Sequence, residues 1–154
     1  MSDAIKVAPP EPAATVPGKK TESKGLYFIG MALTHTYDKD AFRVSIKGTG
    51  LVSLDDRYAC IREIMNDRAV SIPSTVLIDV SEIEEPPTDS EVHRIALLLT
   101  LFQDHVRGRL ALLSSKGGPT AAMAFIAAFS DPPGQAIKAF FDRVEAERWL
   151  SEQA

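Results

Sequence analysis

Phe42, Val44 and Ile46 alternate with Arg43, Ser45 and Lys47, the period-two signature of a strand with one apolar and one wet face. Upstream, residues 25–33 read as a strand, or as two short strands bulged at Gly30, and Asp38-Lys39-Asp40 reads as a turn. The two runs predict an N-terminal hairpin, with Gly48-Thr49-Gly50 ending its second strand. Ser53 followed by Asp56 makes a weak capping box for a first helix. Leu54, Tyr58, Ile61, Ile64 and Met65 then recur on one helical face, and the helix should stop near Asn66-Asp67.

The next apolar run is short: Thr75, Val76, Leu77, Ile78 and Val80 surround Asp79, which suits a buried strand. An acidic, proline-marked loop carries Glu82, Glu84, Glu85, Pro86 and Pro87 into a helix opening at Thr88-Asp89-Ser90-Glu91. Placing successive residues 100° apart puts Val92, Ile95, Ala96, Leu99, Phe102 and Val106 on one broad face, the expected core side. Leu97, Leu98 and Leu101 fall opposite, among His93, Arg94, Thr100, Asp104 and His105. Gly108 is expected to end this helix. Residues 109–113 then form a buried strand, residues 120–129 a small-residue helix and residues 136–141 a last strand. Asp142 caps a final helix running to Trp149-Leu150. The order β-β-α-β-α-β-α-β-α requires crossovers between strands. It predicts an α/β domain with a mixed, mostly parallel sheet opened by an antiparallel hairpin.

Composition narrows the partners. Residues 1–24 hold four of the ten prolines among Ala, Lys, Glu and Ser, and are expected to be a disordered tail ahead of one domain over residues 25–154. A 45% hydrophobic content is enough for that domain's core. The formal charge of −4, with no Lys/Arg run, argues against nucleic acid as a partner, since phosphate neutralisation needs a concentrated cationic face. The single cysteine, Cys60, excludes an intrachain disulfide and fits a reducing compartment. The N-terminus lacks the basic and apolar regions of a signal peptide, and no apolar stretch reaches spanning length. The expected location is cytoplasmic.

Three stretches carry a family resemblance: Gly50-Leu51-Val52-Ser53-Leu54-Asp55-Asp56 at the entry to the first helix, Val76-Leu77-Ile78-Asp79-Val80 with its loop into Thr88, and the ending from Ile137 through Asp142 to Trp149-Leu150. With the element order, they resemble the STAS fold of anti-sigma-factor antagonists and sulfate-transporter C-terminal domains, in the branch called SpoIIAA-like. The likeness covers roughly residues 26–150. It implies a regulatory module in which a serine opening the helix after the central strand is phosphorylated in an Asp-Ser-Ser/Thr-Gly setting. Here that region reads Pro87-Thr88-Asp89-Ser90-Glu91, without the glycine.

Thr88 and Ser90 are therefore candidate phosphorylation sites, where a phosphate would sit near the positive end of the helix dipole. The structural alternative, which outranks it, is that Thr88 is an N-cap and Glu91 closes a capping box. Ser114, Ser115, Lys116, Gly117 and Gly118, ahead of Pro119, offer an anion-binding loop at a strand end, against the reading of a plain turn. Neither a Walker pattern nor a Gly-x-Gly-x-x-Gly fingerprint is present. Leu97, Leu98 and Leu101 form a candidate interaction surface, unless a helix of the same domain covers them. His35, His93 and His105 have no metal-ligand spacing, and no catalytic triad or dyad is evident, so no metal, cofactor or enzymatic activity is expected. Cys60 is expected to be semi-buried and inert. Two functions follow: a non-enzymatic regulatory module binding a protein partner or a second copy of itself, or a carrier of a small apolar or anionic ligand between sheet and helices near residues 114–118.

Overall fold

The computed structural model describes residues 32–115, 126–127, 130–133 and 135–152. Five strands form one sheet in the order of the chain: β1 (Leu33–Asp38), β2 (Arg43–Gly50), β3 (Ser74–Ile83), β4 (Arg107–Leu113) and β5 (Ile137–Phe140). β1 and β2 are antiparallel, and every later pair is parallel. Helix α1 (Leu54–Met65) joins β2 to β3, and helix α2 (Asp89–Val106) joins β3 to β4. Helix α3 (Arg143–Ser151) follows β5. The mixed, mostly parallel α/β sheet expected from the sequence is the fold.

Each face of the sheet has its own core. Val44, Ile46, Val76, Ile78, Val80, Leu110, Leu112 and Ile137 point to one side, where they pack with α1, α2 and Ile126. Leu77, Ala111 and Leu113 point to the other, against Ala146 and Leu150 of α3. The central strands β3 and β4 thus bury both faces, which is why they read as nearly continuous apolar runs and not as alternation. On the α3 face, Trp149 anchors the helix. Its ring lies 5.5 Å from that of Phe140, and the Arg109 guanidinium stacks 4.8 Å from its centroid while donating to the Trp149 carbonyl.

The helix starts follow their local chemistry. Ser53 Oγ accepts from the Asp56 N–H at 3.0 Å while the Asp56 carboxylate accepts from the Ser53 N–H at 3.0 Å, a complete capping box. Asp142 caps α3 by accepting from the Val144 N–H. α1 ends at Met65 with Asn66 as its cap, where the sequence places it.

Several boundaries differ from the sequence reading. β1 occupies Leu33–Asp38, further along than the strand expected at residues 25–33, of which residues 25–31 lie outside the described region. Residues 33–38 (Leu-Thr-His-Thr-Tyr-Asp) alternate half-buried and exposed, but only Leu33 is strongly apolar, so the pattern is faint. The disordered tail expected at residues 1–24 also lies outside the described residues. Phe42 belongs to the hairpin turn, at φ 54° and 52% exposed, and β2 begins one residue later. Gly48-Thr49-Gly50 does not end β2: the strand continues through a bulge at residues 47–49, because Gly48 is buried beneath Ile83 and Leu33. Gly108 does not end α2 either. Arg107 takes the left-handed cap conformation at φ 66°, and Gly108 is already in β4, packed against the Ser74 backbone.

Candidate functional site

Among the described residues, the core between the sheet and helices α1 and α2 leaves an apolar space. An apolar cavity of about 50 Å³ lies there. Leu33, Ile46, Ile78, Val80, Ile83 and Leu112 line it from the sheet. Cys60 and Ile61 of α1, Ile95, Leu98 and Leu99 of α2, and Ile126 close it from above, with Arg57 as the one charged residue among the described lining. Of all these residues only Leu33 and Arg57 retain appreciable solvent exposure, so the mouth lies between the start of β1 and the first turns of α1. A space of this size has room for roughly three to five waters by volume, and its apolar interior offers them few partners.

Local sequence explains how a cation reaches this position. Arg57 stands three residues after Leu54 and four before Ile61, within the same apolar stripe of α1, and Cys60 and Ile64 continue that stripe. Burial pushes the Arg57 pKa down, and the nearby charges of Glu91 and Asp56 oppose that shift. Both of those carboxylates are already engaged as the capping-box acceptors of α2 and α1. Among the described residues, Arg57 donates a long hydrogen bond, 3.5 Å, to the Val52 carbonyl, and no described carboxylate forms an ion pair with it. Cys60 is buried more deeply than expected, and that burial, helped by Glu63, pushes its thiol up to about 12. It is a neutral apolar wall, not a nucleophile.

The sites read from the sequence are scattered. Thr88 is an N-cap: its Oγ1 accepts from the Glu91 N–H at 3.3 Å while Glu91 accepts from the Thr88 N–H at 3.0 Å. Ser90 Oγ lies 3.4 Å from Thr88 Oγ1, and both hydroxyls are exposed. Of the three leucines, Leu97 and Leu101 are 60% and 56% exposed, but Leu98 is 8% exposed and belongs to the core. The candidate surface is therefore two leucines, one helical turn apart. Leu98 reaches the cavity because α1 packs beside α2 and extends the buried sector past the face expected for a helix lying on a sheet alone. Ser114 is buried at the end of β4, its N–H donating to the Phe140 carbonyl, so that it serves the sheet and does not line the cavity. Ser115 is exposed, and Lys116, Gly117 and Gly118 lie outside the described residues. Among the described residues, no group of three or more His, Cys, Asp or Glu side chains is placed to hold a metal ion. No described helix is long and apolar enough to cross a membrane.

No family model, curated protein or solved structure matches this chain.

Asp79 is the other polar group in an apolar run. It sits on the α3 face of β3, paired in register with Lys47 of β2 and Leu113 of β4. Burial works to raise its pKa, but the Ser81 hydroxyl at 2.6 Å, the Ser81 N–H at 2.9 Å, and the charges of Arg143 and Lys47 together hold it below the usual carboxylate value. Arg143 donates to it at 2.8 Å from the first turn of α3. The pair ties the start of α3 to the middle of the sheet. Because the folded value is depressed, this stabilisation is complete above the unfolded carboxylate value, about 3.9, and is lost as pH falls through the lower folded value. Asp79→Asn should therefore flatten the acid side of the stability–pH profile. Arg143→Met, which leaves a buried carboxylate with Ser81 and the charge of Lys47, should cost about 1–3 kcal/mol at neutral pH in urea denaturation.

Proposed function

We propose that this chain is a non-catalytic, cytoplasmic binding module that holds a small, largely apolar ligand in the cavity between the sheet and helices α1 and α2. The observation that carries this reading is the cavity itself: an apolar space whose described lining holds one cation, at the rim, in a core that otherwise packs both sheet faces. This reading places a carrier's site between sheet and helices under α1; of the loop expected to hold it, Ser114 and Ser115 do not line the cavity, and residues 116–118 lie outside the described region. The STAS-like reading, in its SpoIIAA-like form, is compatible with this proposal. It is supported by the Ser53–Asp56 capping box at the entry to α1, the buried β3 feeding a capped α2, and the Asp142 cap before Trp149.

A second reading rests on a separate observation. Leu97 and Leu101 are exposed on α2, and their burial against a protein partner or a second copy would supply affinity for a regulatory module. Phosphorylation at Thr88 or Ser90 would act on the same helix, by adding charge beside its N-terminus. The two readings are compatible in one domain, but the cavity is the more specific feature.

The test is a methyl NMR titration of the protein with hexanol, a neutral apolar probe, beside the cavity-filling variant Cys60→Leu. Hexanol should shift the methyl resonances of Ile46, Ile61, Ile78 and Ile95. Cys60→Leu should abolish those shifts and, by filling the space, raise stability by about 0.5–2 kcal/mol. A titration that leaves every core methyl unmoved would sink the carrier reading.

A further inference from the structure

The rim cation narrows the ligand's chemistry. Resting on the carrier reading, we infer that the cavity takes a short amphipathic monocarboxylate, its apolar chain among Ile46, Ile78 and Leu98 and its carboxylate on the Arg57 guanidinium at the mouth. Three observations lead there. The described interior walls supply almost entirely apolar surface, so hydrocarbon suits the enclosed part of the ligand. Among the described residues, the cavity's one charged group is at its rim, is a cation, and forms no ion pair. Its forked donors are spent on one carbonyl at 3.5 Å. A guanidinium partly removed from water, with no described carboxylate in contact, gains from a ligand that brings one, because its planar fork accommodates both oxygens.

The surroundings also set the ligand's charge. Asp56 and Glu91 contribute negative potential at Arg57, and each is fixed by accepting a backbone N–H at its helix start. A doubly charged phosphate monoester would meet that field with twice the repulsion of a carboxylate, while offering Arg57 the same fork contact. A single negative charge is the better match. The cavity's small volume limits the enclosed chain to a few carbons, with the head group outside.

The experiment compares hexanoate with hexanol at neutral pH, followed on the same core methyl groups, in the native protein and in Arg57→Met. Met preserves an unbranched chain against the mouth while removing the fork. Hexanoate is expected to bind about tenfold more tightly than hexanol, in keeping with one charge-assisted pair. Arg57→Met should lose that preference while still binding hexanol, which shows that its fold and cavity persist. Equal affinities in the native protein would overturn the carboxylate inference and leave the carrier reading standing. Retention of the hexanoate preference in Arg57→Met would overturn Arg57 as its partner. Failure of both probes would remove the carrier reading itself.

Discussion

Gly108→Ala is expected to be among the most damaging single-methyl changes in the domain. A Cβ at Gly108 would lie 2.7 Å from the Ser74 carbonyl carbon, closer still to its oxygen, and 3.1 Å from the Thr75 nitrogen. These are backbone atoms at the start of β3 and cannot turn aside as a side chain would. The pairing there is already irregular: Ser74 faces Arg107 and Val76 faces Leu110, so β4 spends an extra residue between them. Gly108 is the residue that lets this bulge sit against β3. The strands must separate to admit a methyl group, which loosens the pairing at the N-terminal ends of both central strands. The cost should be about 3 kcal/mol, the upper end of ordinary overpacking, read as a lowered midpoint in urea denaturation at unchanged slope. A stability within experimental error of the native protein would mean that the close approach of β4 to Ser74 is wrong.

The second large effect separates three leucines that look alike in sequence. Leu98→Ala should cost about 2–4 kcal/mol, because Leu98 is buried between α1, α2 and the sheet and its loss enlarges a cavity that already exists. Leu97→Asp and Leu101→Asp should change stability by about 0.5 kcal/mol or less, since both side chains are more than half exposed. The aspartates serve a second purpose. If α2 docks on a partner or on a second copy, they should abolish that association, measured by sedimentation, with the melting curve unchanged. Unfolding by either aspartate would assign Leu97 and Leu101 to the core and remove the helix-surface reading. The three variants together therefore test packing and association without confusing them.

Hydroxyls at helix starts illustrate how a sequence feature divides between structure and function. Thr88 and Ser90 draw attention because a strand delivers them to a helix N-terminus. In the structure Thr88 is spent on a capping box, a role worth about 1 kcal/mol to α2. A phosphate on Thr88 would have to break that box, whereas Ser90 is free of it. Ser90 is thus the less disruptive of the two positions for such a modification, and the acidic approach through Glu84 and Glu85 would still oppose it.

Much of the fold is set by local chemistry and is legible in the chain. Capping boxes at Ser53 and Thr88, the Asp142 cap, the apolar stripe of α2 from Val92 to Val106 and the buried run of β3 each depend on residues within a turn or a strand of one another. Their alternation implies a mostly parallel sheet, because parallel neighbours need crossovers. Features that depend on what lies across the interior are not legible in the same way. The position of β1 is set by pairing with β2, since its own alternation is faint. Leu98 is buried because α1 lies beside α2, a fact no helical wheel of α2 contains. Gly108 looks like a helix stop until β3 is placed against it.

The cavity is the clearest case. Arg57 interrupts the apolar stripe of α1, and Asp79 interrupts that of β3; these are signals a sequence carries without interpretation. Only the tertiary structure decides that Arg57 reaches the mouth of a cavity while Asp79 is answered by Arg143 on the opposite face. The physical reason is that periodicity reports which side of an element is dry, whereas a cavity or a buried ion pair depends on how well two such sides fit. Fit is a property of side-chain volumes and charges brought together from distant parts of the chain.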